Sequence, residues 1–351
     1  MFNLKDMYFR LQGNPYFQYL SLKDNYEDEM KNLSREEQME KWKAQTASIK
    51  PFMKKYENPY ISINHIDEKF LYAFVPGDSI IIQEKIDGSN SHLIVNENGF
   101  QSFGMNYELN EKNHLQGFYF WCKDHYAQVT EKYYNLKIYG EWLIPHHCDY
   151  QNTFYCNFYV FDIIEDNKYW PQDKVKEFCK ECNFNYVPVF YEGKFTSWKD
   201  VKTFIGQTKM GTSKGEGIVV KNMTKLNKAD KLFYLKLVDV EYQETNSCRE
   251  IIKTINDEKL VKADETALLV SSIVTKARIR KQILKMRDIG LLPANWIKLD
   301  TSKILKQVKS PVIKDCFKEE RAVIDTVGKR FSSYAESLII NHINELKEEG
   351  I

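Results

Sequence analysis

Near residue 245 the hydrophobic period of this chain changes, and that change limits its fold more than any other feature. From about 60 to 240, short runs rich in Ile, Val, Tyr and Phe are separated by Gly, Pro, Asn and Asp, which predicts strands in a mixed α+β domain. The expected strands are SIIIQE (79–84), SHLIV (91–95), LKIYGEWL (136–143), TFYCNFYVFDII (153–164), GIVVKN (217–222) and LFYLKLV (232–238), with a helix over DKVKEFCKECN (173–183). Beyond 245, ETALLVSSIVTKARIRKQILKM and RAVIDTVGKRFSSYAESLIINHINEL place apolar residues at helical spacing. A 61–244 domain followed by a smaller all-helical domain over 245–351 is therefore expected. Residues 1–60 read as a charged extension, with a helix over 34–50 that opens on the capping-box pair Ser34 and Glu37 and stops at Pro51.

The chain has 351 residues, 43% of them apolar, enough for one large core and a smaller one. It lacks a run of about 18 apolar residues, and its start, MFNLKDMYFRLQGN, has charges where a leader needs an apolar stretch. A soluble cytoplasmic protein, monomeric and with no membrane partner, is the expectation. The seven cysteines are odd in number and scattered, so reduced thiols are the default. Cys179 and Cys182 form a single CxxC without a second pair at zinc spacing, which reads as two cysteines on a helix. A net charge of +1 conceals one lopsided window: residues 271–310 carry ten Lys or Arg against Asp288 and Asp300 alone. Such a window is either a solvated helix face or a surface for a polyanion. Between Arg35 and Arg249 every cation is a lysine, which lacks the planar two-pronged phosphate grip of arginine.

The densest chemical signal is Glu84-Lys85-Ile86-Asp87-Gly88-Ser89-Asn90, set between two expected strands. Asp87, Gly88 and Asn90 could simply turn a hairpin. With Lys85 as a nucleophile, however, the run resembles the KxDG signature of the covalent nucleotidyltransferases, and the following Ser89 and Asn90 narrow the resemblance to phage-type RNA ligases. Further elements follow in the order that family implies: Glu141 in KIYGEWL, Phe161 in NFYVFDII, Glu216, Gly217 and Lys221 in GEGIVVK, and Lys236 in FYLKLV. The resemblance implies an ATP-grasp-like nucleotidyltransferase domain with antiparallel sheets. It also implies ATP as the AMP donor, Mg²⁺ or Mn²⁺ as cofactor, and RNA with 5′-phosphate and 3′-hydroxyl ends as partner. Lys85, Lys221 and Lys236 would be catalytic; Glu84, Ile86, Asn90, Glu141, Phe161 and Glu216 would join them in holding the nucleotide; Glu141 and Glu216 would hold the metal.

The chemistry demands a neutral lysine. At a pKa of about 10.4, roughly one free lysine in 2,500 is neutral at pH 7, and the ammonium ion has no lone pair. Two unit charges 4 Å apart repel by about 4 kcal/mol at an effective dielectric near 20, so neighbouring cations can supply the push. Two departures from the family pattern stand out. The arginine expected in GFQSFGMNYELN is missing, with Met105 in that region, and Lys236 is followed two places on by Val238 instead of a second lysine. Alternatives are a capping guanylyltransferase or DNA ligase, both of which normally add an OB-fold, and a non-catalytic RNA-binding repair scaffold.

Overall fold

In the computed structural model of the chain, residues 37, 54–56, 60, 63–65, 68–105, 107–211, 214–226, 232–242 and 257–350 are described. The helix expected over 34–50 lies outside them apart from Glu37. The described residues form two compact units that interleave in sequence: those within 1–61, 86–188 and 208–215 make one, and those within 62–85, 189–207 and 216–351 make the other. The 61–244 segment expected as one domain is thus shared between both units, and the helical segment clusters with one of the two sheets.

The strands in chain order are β1 (Lys54–Lys55), β2 (Asn64–His65), β3 (Ser79–Lys85), β4 (Ser89–Asn96), β5 (Gly99–Phe103), β6 (Tyr107–Glu108), β7 (Leu136–Leu143), β8 (Asn157–Glu165), β9 (Lys168–Tyr169), β10 (Asn185–Tyr186), β11 (Val189–Lys194), β12 (Gly217–Leu226) and β13 (Leu232–Val238). The helices are α1 (Phe118–Thr130), α2 (Gln172–Glu181), α3 (Trp198–Lys202), α4 (Asp257–Ile273), α5 (Lys276–Asp288), α6 (Thr301–Glu319), α7 (Arg321–Val327) and α8 (Phe331–Glu348).

The first unit is built on the sheet β1-β6-β5-β4-β7-β8-β10, with β9 paired to β8. All its pairs are antiparallel except β8 with β10. Alternation decides its faces: Leu93 and Val95 of β4, Ile138 and Trp142 of β7, and Phe158 and Val160 of β8 point into a core closed by Phe118 and Trp121 of α1 and Val175 and Phe178 of α2. The expected strand over 153–164 is shorter than its apolar run, because Cys156 takes a positive φ of 56° and a 3₁₀ turn occupies Asn152–Phe154. Helix α1 follows three successive positive-φ residues, Leu115, Gln116 and Gly117. Cys179 lies in α2, and the amide of Cys182 donates to the Phe178 carbonyl at the helix end. Burial pushes both thiols up, Cys182 to about 11, so they remain protonated. Among the described residues no group of three or more His, Cys, Asp or Glu could hold a metal.

The second unit contains the sheet β11-β3-β12-β13-β2, antiparallel but for the short β13–β2 pair. Ile80, Ile82, Ile218, Val220, Leu235 and Leu237 bury one face of it with Trp198 and Val201 of α3. Helices α4 to α8 build a separate core around residues such as Ile279, Ile304, Val308, Phe331 and Ile339. A polar knot ties these helices to the sheet. The fully buried Asp78 carboxylate accepts hydrogen bonds from the Val75 amide (3.0 Å), Asn222 of β12 (2.7 Å) and Asn341 of α8 (2.8 Å). Such a buried carboxylate is tolerable only because its oxygens are so well satisfied. Among the described residues no helix is long and apolar enough to cross a membrane.

Candidate active site

Lys85 is the last residue of β3 and faces Gly217 at the start of β12. Its ammonium donates to Glu216 Oε1, 131 positions further along the chain. The Lys85 side chain is 26% exposed and that of Glu216 11%. The pair is therefore shielded yet reachable from solvent. Gly217 lets β13 pass close to the strand beside the pair, because a Cβ there would lie 2.2 Å from the Leu237 carbonyl oxygen.

Strand alternation places further lysines on the same face as Lys85. Gly217 pairs with Lys85, Lys221 with Ile81 on β3 and Tyr234 on β13, and Val219 with Lys236. Because Ile218, Val220, Leu235 and Leu237 take the core face, Lys85, Lys221 and Lys236 share the opposite face of one sheet. Lys221 is 1% exposed, and its Nζ sits 4.7 Å from the centroid of the Tyr234 ring. That contact gives a buried cation an electrostatic partner. Glu84, one residue before Lys85, falls by the same alternation on the face of Ile80 and Ile82, where it is buried. Its backbone, and not its carboxylate, adjoins Lys85.

The other expected residues belong to the first unit. Asn90 of β4 stands opposite Glu141 of β7, and both are half-buried. Gly88 packs so closely that a Cβ there would lie 2.7 Å from the Trp142 carbonyl oxygen and 3.0 Å from Glu141 Cγ. Ile86 is buried. Phe161 occupies a bulge: Gly140 pairs with Val160 but Tyr139 with Asp162, leaving Phe161 as the extra residue. Its ring meets that of Tyr60 at 5.5 Å, and the Tyr60 hydroxyl donates to Asp162 at 2.5 Å.

Two features were not assigned from the sequence. The Asp87 carboxylate accepts from the amides of His147 (2.7 Å) and Cys148 (2.8 Å), with His146 Nδ1 at 3.6 Å. Burial alone would raise its pKa, but the hydrogen bonds from His146, Cys148 and His147 hold it below the usual carboxylate range. The aspartate of the motif therefore latches the 146–148 loop. His92 of β4 is fully buried, stacked against Phe103 (4.6 Å) and Tyr139 (4.9 Å), with neither ring nitrogen hydrogen-bonded. Burial, then the charge of Lys137, drives its pKa down to about 3. Met105, where the family arginine is expected, is 60% exposed.

Glu141 and Glu216 offer hard carboxylate oxygens, the donor type that Mg²⁺ and Mn²⁺ prefer. Three lysines on one sheet face suit a polyphosphate.

No curated protein sequence matches the chain. Among solved structures, similar folds include an apo variant of Naegleria gruberi RNA ligase (16% identity, TM-score 0.44, covering 55% of this chain and 59% of that one). A second variant of that ligase, with ATP and Mn, is 17% identical with a TM-score of 0.43, covering 56% of this chain and 61% of that one. The same ligase with PPi is 18% identical with a TM-score of 0.42, covering 55% and 60%. The chain thus spans about three fifths of the length of the solved ligases it matches. Residues 78–238 match the family described as RNA ligase, a span that holds Lys85, Asn90, Glu141, Phe161, Glu216, Lys221 and Lys236.

Proposed function

We propose that this chain is an ATP-dependent RNA ligase that joins 3′-hydroxyl and 5′-phosphate RNA ends through lysyl-AMP and RNA-adenylate intermediates. The observation that carries the reading is the Lys85–Glu216 contact on the sheet face that holds Lys221 and Lys236, within a segment that matches the RNA ligase family. Lys85 Nζ, having released its proton toward Glu216, attacks the α-phosphorus of ATP; the bond to the β-phosphate oxygen breaks and pyrophosphate leaves. The RNA 5′-phosphate then displaces Lys85 from AMP. In the last step the 3′-hydroxyl attacks the activated phosphate, and AMP departs as the phosphodiester forms.

Lys221 and Lys236 stabilise charge on the pentavalent phosphorus in each step. Ile86, Asn90 and Glu141 line and orient the nucleotide together with the Glu84 backbone, and Phe161 stacks on the adenine. A divalent cation held by Glu141 and Glu216 supplies neutralisation of phosphate charge when bound. The helical segment contributes contacts to RNA, and the protein acts as a cytoplasmic monomer. Mass spectrometry after incubation with ATP and Mg²⁺ tests the first step. An AMP-sized increment should appear and should vanish in Lys85→Ala; an unmodified wild-type chain, or an increment only with GTP, would overturn the reading.

A further inference from the structure

The basic window at 271–310 loses much of its excess in the folded chain. Lys276 pairs with Glu345 and Glu349, Arg278 with Asp315 and Glu319, Arg287 with Asp288, Lys303 with Asp300, and Lys309 with Glu336. Three cations of α6 stay apart from these pairs. Ile304, Val308, Val312 and Cys316 form the fully buried stripe of that helix, and Lys306, Ser310, Lys314 and Lys318 each lie two residues beyond one of them. At 3.6 residues per turn that offset is about 200°, so the four make the outer face of α6, where all of them are exposed. From Lys306 to Lys318 the face runs about 18 Å, at 1.5 Å per residue.

Among the described residues no carboxylate stands within ion-pair distance of Lys306, Lys314 or Lys318. The acids of α6 itself, Asp315 and Glu319, both accept from Arg278 of α5, each at 3.0 Å. Next to Lys318 on this side of the helix stands Phe317, 39% exposed. Two neighbours hold its ring: the buried Phe331 of α8 meets it edge-on at 5.8 Å and 83°, and the Arg321 guanidinium lies 5.6 Å from its centroid. A solvated helix face accounts for the lysines but not for an aromatic ring held in place among them. A row of cations with an aromatic platform suits a nucleic-acid single strand, which offers phosphates to neutralise and bases to stack.

We propose that the outer face of α6 binds single-stranded RNA, with Lys306, Lys314 and Lys318 along its phosphates and Phe317 stacked on one of its bases. The proposal rests on the RNA ligase reading and names where the helical segment holds its substrate. The two kinds of contact leave different marks. Each single-strand phosphate contact contributes about 0.7 to the slope of log affinity against log salt, whereas a stacked base changes affinity at every salt concentration alike.

The test uses the full chain without ATP, and an oligo-uridylate whose affinity is measured across a salt series. In Lys306→Gln/Lys314→Gln/Lys318→Gln the slope should fall by about 2.1, and affinity at 0.1 M salt by about 100-fold. Phe317→Ala should weaken binding about 5- to 150-fold with the slope kept. An unchanged slope in the lysine variant, or an unchanged affinity in Phe317→Ala, overturns the proposal. So does an equal loss in Phe317→Ala on duplex RNA, whose bases are already stacked. Arg280→Gln/Lys281→Gln/Lys285→Gln, on the exposed side of α5, should lower the slope less; an equal or larger fall there overturns it too. Vesicles of anionic phospholipid should not distinguish the lysine variant from the wild type, and a loss seen only with vesicles would assign the face to a membrane surface instead. If the triple variant unfolds, Lys314→Gln alone should lower the slope by about 0.7. Absence of lysyl-AMP in the wild-type chain with ATP would strike the ligase reading separately, leaving these slopes to judge the face.

Discussion

His92 should make the protein sensitive to mild acid. In the native state its pKa is depressed to about 3, against about 6.5 for an unperturbed histidine. The proton therefore binds the unfolded chain more tightly, so the full contribution of His92 is present above pH 6.5 and is lost as pH falls toward 3. Between pH 7 and pH 5 that loss is about 2 kcal/mol, at roughly 1.4 kcal/mol per unit below 6.5. The cause is geometric: the ring lies between Phe103 and Tyr139, and neither nitrogen has an acceptor to receive an added proton. Urea unfolding at pH 7 and pH 5, for the wild type and for His92→Phe, isolates the effect because other titrating groups are common to both. Phenylalanine keeps the stack and removes two stranded nitrogens, so the variant should be no less stable at pH 7. It should also lose about 2 kcal/mol less than the wild type on going to pH 5. Identical pH dependence in the two proteins would refute the reasoning, since it would mean that His92 can accept a proton where it sits.

Two further substitutions probe the second unit. Gly217→Ala would bring a Cβ to 2.2 Å from the Leu237 carbonyl oxygen of β13 and force the start of β12, with its neighbour Glu216, to shift away from β13. The AMP adduct should be lost while far-ultraviolet circular dichroism stays close to wild type, and an adduct at normal yield would show that the strand can yield there. Asp78→Ala should destabilise by about 3 to 5 kcal/mol in urea unfolding, because donors from Val75, Asn222 and Asn341 lose their buried acceptor. A loss below about 1 kcal/mol would mean that the knot is not dry.

Much of the fold is legible in local pattern. LKIYGEWL and LFYLKLV are strands over the expected residues, because alternating apolar side chains match a pleat with one buried face. Helix α1 is not legible: FYFWCKDHY is rich in aromatics that favour strands, and packing of Phe118 and Trp121 into the core overrides that preference. Helix α6 is hidden by Pro311, which lies within its nineteen residues. The two helical runs are also broken, at Thr275, whose side chain caps α5, and at Gly328, whose φ of 71° ends α7. The expected TFYCNFYVFDII strand gives way at Cys156 for the same kind of reason: an apolar run carries no mark of a local positive φ.

The candidate site divides along similar lines. The resemblance carried by the EKIDGSN run and by the elements that follow it in order picks out Lys85, Glu141, Glu216, Lys221 and Lys236, and residue type and order are properties of the sequence. That Lys85 donates to a carboxylate 131 residues away depends on β3 pairing antiparallel with β12 in one register, which no local pattern encodes. Strand alternation by itself turns Glu84 to the face opposite Lys85. Charge behaves likewise: ten cations between 271 and 310 are a fact of sequence, but five of them meet carboxylates only because helices pack or turn them together. The residue types and periods of the candidate site are thus written in the chain itself. Which charges distant in sequence meet is decided by long-range pairing, because Coulomb interactions depend on distance in space and not on separation along the backbone.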